Sequence, residues 1–103
     1  MIVHTYGTSE GTIGLAVAGE IDLATIGDFD AALAKAVTTD GTTRVLIDFG
    51  EVDFCDSSGL AALDRAFHQA AERGIELRVI RPKRAVYRLL ELMGMVGHLT
   101  GPA

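Results

Sequence analysis

The residues best suited to chemistry stand together at Cys55-Asp56-Ser57-Ser58-Gly59, where a thiol, a carboxylate and two hydroxyls meet a glycine. A serine with Gly59 two positions on, placed between a strand and a helix, invites comparison with the nucleophile elbow G-x-S-x-G. Cys55 occupies the place of the first glycine, and a hydrolase of that kind needs a histidine base. His4, His68 and His98 fall on a strand, a solvated helix face and the tail, so no catalytic residue is expected. Three scattered histidines and one cysteine make no ligand set; Asp22, Asp53 and Asp56 could gather only loosely around a hard cation, and no metal is expected. Neither G-x-x-x-x-G-K-[ST] nor G-x-G-x-x-G occurs, which removes the local signals for nucleotide, and no cofactor is expected. Taken by itself, Ser57 is equally well read as a helix cap with no further task.

The elements that must position this stretch follow from apolar periodicity. Val45-Leu46-Ile47 reads as a central strand covered on both faces. Gly50-Glu51-Val52-Asp53 then reads as a turn, with Phe54 directed inward and Asp56-Ser57 offering oxygens to the unpaired donors of a new helix. That helix is marked by Leu60, Leu63, Phe67, Ala70 and Ala71 and ends at Gly74. Asp56, Ser57 and Ser58 therefore lie at the positive end of a helix dipole, and Gly59 permits close approach in the first turn.

Upstream, residues 2–6 and 12–18 form a hairpin, with Ile13, Leu15 and Val17 alternating toward one buried face. Gly19-Glu20-Ile21-Asp22 is too acidic and glycine-bearing to prolong the second strand. Thr25-Ile26-Gly27-Asp28 resembles a capping box, and the helix after it carries Ile26, Phe29, Ala32, Leu33, Ala36 and Val37 on one stripe. Downstream, Ile75, Leu77 and Val79 make a strand with one solvated side. Pro82 suits the first turn of a last helix, whose stripe is Val86, Leu89, Leu90 and Met93 and whose end is Gly94. Residues 95–99 add a short strand or fold back, and 101–103 fray.

The 103 residues suffice for one domain, 1–103, and not for two. Nearly half the chain is hydrophobic, 49%, at a mean hydropathy of +0.30, yet no apolar run approaches the roughly 20 residues that cross a bilayer. Met1 to Tyr6 has no signal-peptide character and a lone cysteine makes no internal disulfide, so the expected location is the cytoplasm, without membrane insertion. A net charge of -5 argues against nucleic acid as a direct partner. The charge is uneven: ten acidic residues stand between Glu20 and Asp64 against Lys35 and Arg44, while Arg78, Arg81, Lys83, Arg84 and Arg88 cluster late. The acidic belt of Glu20, Asp22, Asp53 and Asp56 is expected to meet a basic surface on a partner. Beside Asp56, Cys55 is expected to be structural.

The order of elements indicates an α/β fold, a mixed sheet of four to five strands packed against three to four helices. Asp56-Ser57-Ser58-Gly59-Leu60 after Val45-Leu46-Ile47, the upstream Gly19-Glu20-Ile21-Asp22, and Val86-Tyr87-Arg88-Leu89-Leu90 before Met93-Gly94-Met95 resemble a STAS domain of the anti-sigma factor antagonist kind. The resemblance spans nearly the whole chain. It implies that Ser57, the hydroxyl residue directly after the motif aspartate, is phosphorylated by a serine kinase that is itself the anti-sigma factor. The unphosphorylated protein would bind that kinase and free the sigma factor, phosphorylation would end the binding, and a metal-dependent serine phosphatase would restore it. The resemblance further implies a docking surface of Asp22, Asp56, Ser57, Ser58, Gly59 and Leu60 and a chain with no enzymatic activity. The alternative is a cytosolic STAS accessory subunit of a membrane lipid transporter, in which the motif position is often threonine. A small nucleotide-binding sensor would rest on fold analogy only.

Overall fold

A computed structural model describes residues 1–95, with Thr8 by its backbone alone. β1 (Ile2–Ser9) and β2 (Thr12–Ile21) form the expected hairpin, followed by α1 (Ile26–Thr38), β3 (Arg44–Cys55), α2 (Ser57–Glu72), β4 (Glu76–Ile80) and α3 (Arg84–Leu92). The sheet runs in the order β1-β2-β3-β4, antiparallel at the first pair and parallel at the next two. Among the described residues this is a mixed sheet of four strands with three helices, within the four to five strands and three to four helices expected. The strand expected beyond Met95, and the frayed end, lie outside the described residues.

Both crossovers step in the same direction along the sheet, so right-handed connections put α1 and α2 on the same face, where they touch each other. Leu15, Val17, Val45, Ile47, Phe49, Leu77 and Val79 point into the layer between, against Phe29, Leu33 and Val37 of α1 and Leu60, Leu63 and Phe67 of α2. The central strand is thus fully covered on one face rather than two. Leu46 and Asp48 on its other side are only partly buried.

β3 departs furthest from expectation. Gly50–Asp53 is no turn: the strand runs on to Cys55, paired with a β2 that likewise continues through Gly19, Glu20 and Ile21. Two bulges make this possible. Ala16 and Ala18 pair with Asp48 and Glu51, and Gly19 and Glu20 pair with Val52 and Phe54, so β3 inserts an extra residue twice. Each insertion shifts the alternation, and the buried series reads Val45, Ile47, Phe49, then Val52, then Cys55. Phe54 is consequently turned outward, 49% exposed, where an inward side chain was expected.

The helix ends show where local signals hold. Gly74, at φ +69°, closes α2 as expected; Ile75 N–H donates to Ala70 O at 2.8 Å and Gly74 N–H to Ala71 O at 3.2 Å, the paired bonds of a Schellman end. Ala71, expected on the buried stripe, is exposed. Met93 is also exposed, at the C-cap of α3, and Pro82 lies ahead of the Lys83 N-cap rather than in the first turn. The capping box at Thr25 does not form, because Thr25 Oγ1 accepts instead from Asp22 N–H at 3.0 Å and donates to Glu20 O at 2.9 Å. The late basic cluster reaches back to the acidic strand: Arg81 pairs with Asp48, and Lys83 with Asp53.

Candidate functional site

β2 and β3 end side by side, with Ile21 paired to Cys55, and the chain after each end is tied to the other. Asp56 N–H donates to Ile21 O at 3.0 Å. On the β2 side, Asp22 Oδ1 accepts from Ala24 N–H at 3.0 Å and Thr25 N–H at 3.1 Å, which folds residues 22–25 into a tight turn before α1. On the β3 side, Asp56 is the N-cap of α2. Its Oδ1 accepts from Ser58 N–H at 2.9 Å, Gly59 N–H at 3.3 Å and Ser58 Oγ at 2.5 Å.

These donors settle the charge of Asp56. The Ser58 hydroxyl most of all, then the N–H groups of Gly59, Ser58 and Leu23, hold its carboxyl below the usual carboxylate range against the opposing effect of desolvation. Asp56 is therefore an ionised cap at neutral pH, and Leu23 brings the β2 turn to the same carboxylate.

The two serines are separated by this arrangement. Ser58 is half-buried and its hydroxyl is committed to Asp56. Ser57, the first residue of α2, is exposed, and among the described residues its hydroxyl makes no hydrogen bond. The reading of Ser57 as a cap is thereby overturned, since the cap is Asp56. Gly59 and Leu60, expected on the same surface, lie beneath it. Both are buried, and a Cβ on Gly59 would meet Cys55 Sγ at 2.6 Å and Ile21 Cγ2 at 2.7 Å. They hold the start of α2 down on the strand ends, while Asp22, Asp56, Ser57 and Ser58 form the accessible part.

Cys55 is buried, and burial first, with the Asp56 charge second, pushes its thiol up to about 11. Of the acidic belt, Glu20 and Asp53 are exposed, but Asp53 is neutralised by Lys83. Among the described residues no three His, Cys, Asp or Glu side chains come together to hold a metal ion. No described helix is long and apolar enough to cross a membrane. Sequence reasoning missed two apolar side chains at the rim, Leu23 at 79% exposure and Phe54. Leu23 was open to notice as a large apolar residue inside an acidic, turn-forming stretch; Phe54 was not, because its direction depends on the bulges.

Residues 4–101 of the chain match the family model described as Mlab, STAS domain. The chain belongs to the STAS domain family. This STAS domain is 30% identical over 94 residues to the anti-sigma-F factor antagonist RsfB of Mycobacterium tuberculosis, covering 91% of this chain and 75% of that one. Its fold is that of the anti-sigma factor antagonist SpoIIAA in its unphosphorylated form, with a TM-score of 0.85 at 16% identity over 99% of this chain and 89% of the other. An anti-sigma factor antagonist from Mycobacterium paratuberculosis superimposes with a TM-score of 0.82 at 24% identity, over 99% and 87% of the two chains.

Proposed function

We propose that this STAS domain is an anti-sigma factor antagonist that works as a partner switch, with Ser57 as the phosphorylated residue. The unphosphorylated form binds an anti-sigma factor serine kinase and so frees a sigma factor; phosphate on Ser57 ends the binding, and a serine phosphatase reverses it. The chain itself performs no catalysis and acts in the cytoplasm. The observation that carries this reading is the contrast between the serines, for only Ser57 presents a hydroxyl that is both exposed and unbonded. The likeness to RsfB supports the same role.

A kinase needs an acceptor hydroxyl that it can reach and orient, and Ser57 meets that need without unfolding anything. The phosphate would add about -1.5 to -2 charge in the first turn of α2. The helix dipole favours it there, but Asp56 already occupies the N–H groups of Ser58 and Gly59. The added charge therefore stays in water beside an ionised carboxylate, which the free domain tolerates. A docked partner could not strip that water without a large desolvation cost. Leu23 and Phe54 would supply the apolar contact around the polar centre.

The test is to incubate the chain with ATP and the candidate anti-sigma kinase, locate the phosphate by mass spectrometry, and titrate both forms against the kinase. A single phosphate on Ser57 with at least a hundredfold weaker binding is expected. Equal affinity of the two forms would overturn the switch, and stable association with a membrane transporter ATPase in place of any such kinase would favour the transporter-subunit reading.

A further inference from the structure

The two edges of the sheet are protected to different degrees. β4 is a five-residue strand bearing Glu76 and Arg78, and charged side chains on a short edge keep a further strand away. β1 is eight residues long and contains no proline, lysine, arginine or carboxylate; His4 and Tyr6 are its only titratable side chains. Among the described residues its outer side pairs with no strand. Such an edge is a template for one more strand.

Beside it, on the helix-covered face, Val3 and Thr5 of β1 and Asp28, Ala31, Ala32 and Lys35 of α1 line a shallow groove of about 370 Å³. The four α1 residues recur at intervals of three and four and therefore share one helix face. That face is acidic at its N-terminal end, basic at its C-terminal end and small in the middle. Among the described residues neither Asp28 nor Lys35 takes part in an ion pair. Seven residues set them about 10 Å apart along the axis, too far to pair with each other.

We propose that this side of the molecule joins two copies of the chain across a two-fold axis, β1 antiparallel to β1 and α1 antiparallel to α1. Asp28 of each copy then meets Lys35 of the other. A two-fold interface must be complementary to itself, and an acid and a base at opposite ends of one helix face satisfy that condition twice over. Ala31 and Ala32 let the helices come close, and the strands fuse into one continuous sheet. A foreign peptide could add to the same edge, but it would have no reason to carry the reversed charge pattern that a second copy always brings. This surface is separate from Ser57, so it stands or falls independently of the partner switch.

The experiment is sedimentation of the unmodified chain from micromolar to millimolar concentration at low salt. Growth of a species of twice 10.9 kDa with concentration is expected. Asp28→Lys and Lys35→Asp should each weaken the dimer about tenfold or more, by placing like charges together at both ends. The double variant, with the charges exchanged, should recover to within about threefold of the original, since it restores both pairs. Both positions are exposed, so unchanged circular dichroism and melting verify that the variants fold. A monomer at every concentration overturns the proposal, whether or not β1 accepts an added peptide. So does a dimer indifferent to the single reversals, or a double variant no better than the singles.

Discussion

Gly59 rests so closely on Cys55 that a single added carbon would lie 2.6 Å from the sulfur. The opposing atoms are a buried thiol and the branched side chain of Ile21, neither of which is the free end of a flexible chain. The start of α2, and with it Ser57, is thus fixed against the ends of both β2 and β3. Gly59→Ala should destabilise the domain by about 1–3 kcal/mol, as overpacking of a core does. Cys55→Ala in the same chain should recover part of that loss, and thermal melting of the single and double variants measures it. An unchanged melting temperature for Gly59→Ala would mean that α2 starts elsewhere.

The adjacent serines should respond oppositely to the same change. Ser57→Ala removes an exposed, unbonded hydroxyl and should alter stability by no more than about 0.5 kcal/mol while abolishing phosphate uptake. Ser58→Ala removes the hydrogen bond to Asp56 and should cost about 1 kcal/mol, leaving phosphorylation at Ser57 in place. Chemical denaturation together with phosphopeptide mapping separates the two. Phosphate found on Ser58 would refute the assignment.

Leu23 should matter to the partner and not to the fold. Leu23→Ala is expected to weaken kinase binding by about tenfold or more, the effect of truncating a large apolar contact beside the polar centre, with melting within experimental error of the parent. Titration calorimetry against the kinase is the direct measurement. Undiminished affinity would place the interface away from the β2 turn.

Cys55 should behave as a core residue with a measurable pH signature. Burial raises its thiol to about 11, above the ordinary thiol range, so the folded state holds the proton more tightly than the unfolded one. The associated stability is fully present below the unfolded thiol value of about 8.5 and is lost as pH rises through the folded value. Cys55→Ala should remove that alkaline decline. Alkylation at pH 8 should be slow and become rapid only in denaturant; fast labelling of the native protein that tracks with lost kinase binding would make Cys55 a redox sensor.

Much of this molecule is determined by its sequence alone. The alternation of Ile13, Leu15 and Val17 and the stripes through Phe29, Leu33, Val37 and Leu60, Leu63, Phe67 fix the hairpin and the first two helices, because burial of one face imposes its period on the chain. Gly74 and Gly94, at positive φ, end their helices locally. The aspartate of Asp56-Ser57-Ser58-Gly59 marks the helix start for the same reason, since a carboxylate two or three residues before free N–H groups caps them whatever else surrounds it. Tertiary structure decided the rest of the site. A strand that breaks its period twice can be held together only by a neighbour that pairs across the bulges, and β2 does so from more than thirty residues away. That pairing turns Phe54 outward, sends Cys55 inward and carries β3 through what reads locally as a turn. It also divides the serines, because which hydroxyl reaches Asp56 and which is left to solvent depends on how α2 lies on Ile21 and Cys55.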